Sequence, residues 1–147
     1  MKSSTASELL FVDTWGWLVL ANSKDPDNQQ VLNLRVQFAN RGLPWVTSDY
    51  VLDETLTRLF ASTPFTRARH FVELIFDAQS IGSLIIETIG PDRFQSAWKL
   101  RLRYKDKPRI SFTDLTSFVV MRELGIRKVL TGDAHFGQVG LSFQILP

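Results

Sequence analysis

Cysteine is absent from this 147-residue chain. That absence removes a disulfide framework, a thiol nucleophile and a Cys-ligated zinc centre from consideration. No run approaches the ~20 apolar residues that a membrane-crossing helix requires. The opening stretch, MKSSTASELLFVDTW, carries one lysine and no long apolar core ahead of Asp13, so no secretory signal peptide is expected. Internal repeats and low-complexity tracts are missing too. What is present is ordinary: 44% hydrophobic and 22% charged residues, in a length that suits one core. The expectation is a single domain over residues 1–147, in a reducing cytoplasm and away from the membrane.

Net charge is only +2, but it is unevenly spread. The segment KLRLRYKDKPR holds Lys99, Arg101, Arg103, Lys105, Lys107 and Arg109 against Asp106, which gives +5. The rest of the chain is then 2 − 5 = −3. A local basic stripe on a near-neutral protein suits contact with a polyanion, and it equally suits a solvated helix face.

Apolar spacing divides the chain into alternating elements. Leu9 to Val12 is a continuous apolar run, read as a buried strand that ends at Asp13. Trp15 to Ala21 reads as a short helix. Pro26 suits the first turn of a second helix, in which Val31, Leu34, Arg35 and Phe38 recur at helical spacing until Gly42. Trp45 to Thr47 reads as a strand, and Ser48 or Asp49 as the cap of a helix carrying Val51, Leu52, Leu56, Leu59 and Phe60. Residues 65–81 give another helix and Leu84 to Ile89 a strand. Between Pro91 and Lys105 the alternation of Trp98, Leu100, Leu102 and Tyr104 competes with the helical spacing of Phe94, Ala97, Trp98 and Leu102; the proline start favours helix. Ser111 to Leu124 is a helix stopped by Gly125, Lys128 to Thr131 a strand, and Phe143 to Leu146 a last one. This alternation predicts a three-layer α/β/α sandwich around a mostly parallel sheet.

Four carboxylates stand at the ends of apolar runs: Asp13 in LLFVDTWGW, Glu54 in SDYVLDETLTRLF, Asp114 in ISFTDLTSFVV and Asp133 in KVLTGDAHF. Each has a modest explanation. Asp13 can cap the following helix. Ser111 and Asp114 approach a capping box. Glu54 suits a helix start, with Asp53 competing for any further role. Asp133 follows Gly132 in a turn. Jointly these explanations weaken, because all four fall at one edge of the predicted sheet, and ligands of such sheets sit beyond the carboxyl ends of the strands. Burying unpaired charge is costly, so like charges gathered there call for cations. Hard carboxylate oxygens suit Mg²⁺ or Mn²⁺, and two such ions serve phosphodiester hydrolysis. Thr14 and Thr131 are adjacent hydroxyls that can hold a carboxylate or cap the backbone. His135, alone after a turn, is left outside the catalytic set.

The motifs FVDTWGW, SDYVLDETLTRL, YKDKPRISFTDLTSFVVMRELGI and VLTGDAHF, in this order across nearly the whole chain, resemble the PIN domain, most closely the VapC-like ribonuclease toxins of bacterial toxin–antitoxin systems. The resemblance implies a three-layer α/β/α fold with Mg²⁺ or Mn²⁺ held by Asp13, Glu54, Asp114 and Asp133. It also implies single-strand-directed endoribonuclease activity, a homodimer, and an antitoxin protein docking near the site. The stripe 99–109 precedes Asp114 and is positioned to guide an RNA backbone. Two other readings stand beside this one. An aspartyl phosphatase would use D-x-D-x-T after the first strand, but Thr14 and Trp15 follow Asp13 and the second aspartate is missing. A non-catalytic binding module would use the same scaffold, with Trp15, Trp17 and Trp98 divided between core and partner contact.

Overall fold

The computed structural model describes residue 6 and residues 8–147; the rest of the N-terminal stretch lies outside the described residues. In chain order the elements are β1 (Leu10–Val12), α1 (Thr14–Ala21), α2 (Asn28–Asn40), β2 (Trp45–Ser48), α3 (Asp49–Ser62), α4 (Phe65–Ser80), β3 (Leu84–Glu87), α5 (Pro91–Arg103), α6 (Phe112–Leu124), β4 (Lys128–Leu130), α7 (His135–Gln138) and β5 (Gln144–Leu146). The five strands form one sheet in the order β3-β2-β1-β4-β5, with every pairing parallel. Helices cover both faces, so the predicted three-layer α/β/α sandwich is the observed one. Among the described residues no helix is long and apolar enough to cross a membrane.

Burial explains the apolar runs. β1 is the middle strand, and Leu10, Phe11 and Val12 are inaccessible to solvent. A strand covered on both faces has no use for alternation, hence the unbroken LFV. α6 is the helical counterpart: Leu115 to Met121 are all buried, and the helix packs chiefly on α5. Trp17 is the tryptophan of α1 that enters the core, meeting Trp45 edge to face at 5.8 Å. Its indole N–H donates to Thr47 Oγ1, and that hydroxyl donates to the Val12 carbonyl at 2.8 Å. These two bonds fasten α1 to the ends of β1 and β2. Trp15 is half-buried, and Trp98 stays largely exposed on α5.

Element ends differ from the sequence reading in small ways with local causes. α2 begins at Asn28, and Pro26 lies in the turn before it instead of in its first turn; Asp25 Oδ1 accepts the Asp27 N–H there and shapes that turn. Ser48 is the cap of α3, accepting from the Val51 N–H, while Asp49 Oδ1 accepts from Ile89 N–H and so ties α3 to the end of β3. β3 stops at Glu87, whose carboxylate is taken by Arg93 at 2.8 Å. Residues 91–103 are helical, with Pro91 in the first turn.

The strand order places a switch at the middle of the sheet. From β1 the chain builds outward to β2 and β3, then returns on the other side with β4 and β5. The carboxyl ends of β1 and β4 therefore lie side by side, with Val12 in register with Leu130. Crevices of this kind are where open parallel sheets bind ligands.

Candidate active site at the carboxyl edge of the sheet

The register that pairs Val12 with Leu130 makes Asp13 and Thr131 neighbours. The Asp13 N–H donates to the Leu130 carbonyl at 3.1 Å, and Thr131 Oγ1 donates to Asp13 Oδ2 at 2.7 Å. Asp13 occupies the cap position of α1, yet its side chain makes no capping bond; the carboxylate is turned to Thr131. Thr131 Oγ1 also accepts the Asp133 N–H at 3.0 Å. One hydroxyl thus fixes both aspartates. Asp133 Oδ1 in turn accepts the His135 N–H at 2.9 Å, the turn role expected after Gly132.

The two helical acids arrive by different routes. α3 leaves the carboxyl end of β2, so Glu54, in its second turn, stays near that edge. α6 feeds the amino end of β4, so it runs against the strands and its N-terminus returns to the same edge. Asp114 lies in its first turn, where its backbone N–H donates to Ser111 Oγ at 3.0 Å. Asp13, Glu54, Asp114 and Asp133 line one cleft of about 340 Å³ with Thr14, Trp15, Arg58, Arg109, Ser111 and Gly132. Asp53 is exposed and outside that lining.

The cleft is short of countercharge. Asp13 and Asp114 are 6% and 8% exposed. Burial pushes the Asp114 carboxyl up to about 8; a hydrogen bond shared with Asp133 and the charges of Asp13, Asp133 and Glu54 act in the same direction. Asp13 is also raised, by burial first and by the charges of Glu54 and Asp133, against the Thr131 hydroxyl and the Thr14 backbone N–H, which favour its ionised form. A carboxyl that burial, reinforced by neighbouring like charges, keeps protonated near neutrality is a site that a cation can enter in the proton's place.

The donor set fits such a cation. Carboxylate oxygens of Asp114 and Asp133 and a ring nitrogen of His135 lie within 4.8 Å of one another. His135 Nδ1 is 3.0 Å from Asp133 Oδ1, yet it is buried without a properly aligned hydrogen-bond partner. Thr14 Oγ1 is likewise buried and unpartnered. Oxygen-rich donors with one imidazole favour a hard divalent ion. A lone histidine two residues past a turn is more often a surface or capping residue, so the sequence does not single out His135. Arg58 was also missed, although its spacing from Glu54 was visible; the two approach to 3.8 Å along α3.

The basic stripe is divided by the fold. Arg109 lines the cleft. Arg101 does not join an RNA-facing row: its guanidinium donates to the carbonyls of Ile110 at 2.6 Å and of Tyr104 and Lys107 at 2.7 Å, closing the turn that delivers Ser111 and Asp114. Lys107 is held by Asp106 at 2.9 Å, and the Arg103 guanidinium lies over the Tyr104 ring. Lys99 and Lys105 are exposed.

A model of the PIN domain matches residues 10–141. The chain belongs to the PIN domain family. It is 31% identical over 133 residues to the 23S rRNA-specific endonuclease VapC20 of Mycobacterium tuberculosis, an alignment covering 90% of this chain and 95% of that protein. The crystal structure of that organism's VapC20, described as a sarcin–ricin loop cleaving toxin, superimposes with a TM-score of 0.73 at 29% identity, covering 89% of this chain and 95% of the other. Two further PIN-fold neighbours share the architecture at 14% identity. VapBC2 from Rickettsia felis has a TM-score of 0.67 and covers 94% of this chain and 97% of that one. VapBC-1 from nontypeable Haemophilus influenzae has a TM-score of 0.65 and covers 94% and 96%.

Proposed function

We propose that this chain is a divalent-metal-dependent endoribonuclease, the toxin of a toxin–antitoxin pair, and that residues 1–147 act as one nuclease domain. The observation that carries the reading is the convergence of Asp13, Glu54, Asp114 and Asp133 on one cleft at the switch of a PIN sheet. What supports the substrate class is the 31% identity, over 90% of the chain, to an endonuclease specific for 23S rRNA. Ribosomal RNA of that kind is the proposed target, an antitoxin protein the proposed inhibitor, and a homodimer the proposed assembly. The cytoplasm, where ribosomes are, is the proposed location.

In this reading Asp13, Glu54, Asp114 and Asp133 hold Mg²⁺ or Mn²⁺, with His135 beside them. The chemistry such a cation supplies when bound is Lewis-acid activation of water and of the phosphodiester. The chain's own side chains do the rest. Thr131 keeps Asp13 and Asp133 in fixed orientations. Burial keeps the Asp114 carboxyl protonated near neutrality, beside Asp133. Arg58 and Arg109 set positive charge on the cleft wall, where an incoming phosphate is otherwise repelled by the carboxylates. The Thr14 hydroxyl is available to a ligand in the cleft.

The test is cleavage of a panel of structured RNAs, including ribosomal fragments, by the purified chain with Mg²⁺ or Mn²⁺. Asp13→Asn and EDTA are the controls. Cleavage that disappears in both controls supports the reading. A folded protein that binds RNA and cuts none of it with either metal would favour a non-catalytic module.

A further inference from the structure

Two clefts share a wall. Trp15 and Arg58 bound the acidic cleft, and the same two side chains bound a second cleft of about 450 Å³ that continues between α1 and the α3–α4 turn as far as Arg67. Charge changes sign along this path. The first cleft holds four carboxylates. In the second, Arg58 and Arg67 face one carboxylate, Asp25, whose Oδ1 already accepts the Asp27 N–H at 2.8 Å.

Both arginines are available. Arg58 is 60% exposed and pairs only loosely, at 3.8 Å, with Glu54. An exposed pair of this kind contributes little, so the guanidinium reorients readily. Arg67 is exposed and forms no ion pair among the described residues. Trp15 is half-buried, and its ring lies so close to Gly132 that a Cβ there would come within 2.7 Å of it. The indole is therefore a fixed wall standing between the two clefts. Leu59 and Pro64 add apolar surface to the second one.

A groove with cations on its rim and a fixed aromatic wall has the features by which single-stranded nucleic acid is held: backbone charge is met and bases are stacked. We infer that the second cleft is a substrate subsite for the nucleotides on one side of the scissile phosphate, taken as single strand, with Arg58 and Arg67 meeting phosphates and Trp15 meeting a base. The inference rests on the endoribonuclease reading and adds to it a direction: the strand continues past Trp15 toward Arg67.

The experiment uses fluorescein-labelled single-stranded RNA oligonucleotides trimmed one nucleotide at a time from either end. Cleavage is followed with Mg²⁺ or Mn²⁺, and binding is followed in EDTA by anisotropy across a salt series. Arg67→Ala and Arg67→Glu should raise KM by about tenfold or more. They should also lower the slope of log affinity against log salt by roughly 0.7 per lost phosphate contact. Arg69→Ala is the control, since Arg69 lies on the same helix and pairs with Glu73 outside the cleft. Trimming one end, and not the other, should bring wild type down to the level of Arg67→Ala. Trp15→Phe should retain more affinity than Trp15→Ala. Identical KM and salt slope for wild type, Arg67→Ala and Arg67→Glu at every length would overturn the subsite. Absence of wild-type cleavage with either metal would overturn the nuclease reading instead, and binding in EDTA would still report on Arg67.

Discussion

Thr131 Oγ1 donates to Asp13 Oδ2 at 2.7 Å, across 118 residues of sequence. The bond is buried, and the same oxygen accepts the Asp133 N–H. Removing it while keeping the side chain's shape takes one hydrogen bond from Asp13 and leaves the Asp133 N–H without its partner. Thr131→Val is expected to cost about 1–3 kcal/mol, the usual range for a buried polar group left unsatisfied. Loss of orientation at the site should lower metal affinity or cleavage by about 10–100-fold. Urea denaturation and Mg²⁺ titration of the cleavage rate check the two effects separately.

Neutralising Asp114 should separate stability from activity. Asp114→Asn removes a carboxyl that burial and its neighbours keep from ionising, so the metal-free protein should become more stable at pH 8 while cleavage is lost. Thermal unfolding in EDTA, beside the cleavage assay, measures both. A variant less stable than wild type at pH 8 would count against the electrostatic account of the cleft.

The same carboxyl sets the pH response. Asp114 titrates at about 8 in the folded chain against 3.8 for an ordinary aspartate, so between these values the folded state binds more protons than the unfolded one. Its contribution is complete below pH 3.8 and is lost as pH rises through about 8; Asp13, also raised, adds in the same direction. In EDTA the stability attributable to the cleft should therefore fall between pH 5 and pH 9, by a few kcal/mol in order of magnitude, given about 1.4 kcal/mol per pKa unit. Mg²⁺ or Mn²⁺ binds the ionised carboxylates, so the rise in Tm on adding metal should be larger at pH 8 than at pH 5.5. A metal-induced rise that shrinks with increasing pH would contradict this.

Gly132 is required by its neighbour. A methyl group at this position meets the Trp15 ring at 2.7 Å, and the ring can yield only by swinging into the cleft or lifting away from it. Gly132→Ala should destabilise the protein by about 1–3 kcal/mol, as overpacking does. It should also impair cleavage. Tryptophan fluorescence reports the displacement of the indole.

Arg101 is expected to behave as a structural clamp. Arg101→Met removes the donor that three carbonyls share, and hydrogen bonds to charged groups contribute about 1.5–3 kcal/mol each without adding in full. The turn from Tyr104 to Ile110 should exchange its amide hydrogens faster, and Tm should fall. The salt dependence of RNA binding should stay near that of wild type, whereas loss of a phosphate contact would flatten it.

Much of this was legible in the chain, for physical reasons. Continuous apolar runs such as LFV are diagnostic of doubly covered strands, and a carboxylate that directly follows one must lie at the sheet's carboxyl edge. Asp13 directly follows β1, and Asp133 lies three residues past the end of β4, so both fall at that edge. Glu54 and Asp114 could be assigned to the same edge because a helix that follows or precedes a parallel strand has a fixed direction. What stayed hidden depends on three-dimensional approach. His135 carries no pattern that distinguishes a surface imidazole from one beside two carboxylates. Arg101 sits in an alternating basic run that suits a polyanion-facing or a solvated surface equally, and only the closing of the chain behind it turns the guanidinium onto carbonyls. Pro26 fits a helix start by preference, and the Asp25–Asp27 turn overrides it.

The strand order also has a temporal consequence. Asp13 and the hydroxyl that holds it are 118 residues apart, which at roughly 5–20 residues per second is about 6–24 s of synthesis. A nascent chain halted before Lys128 already carries Asp13, Glu54 and Asp114. It lacks β4, the strand that flanks β1 on one side, and with it Thr131 and Asp133. Such an intermediate cannot assemble the cleft. The acidic cleft is completed only once β4, Thr131 and Asp133 have followed the other three carboxylates off the ribosome.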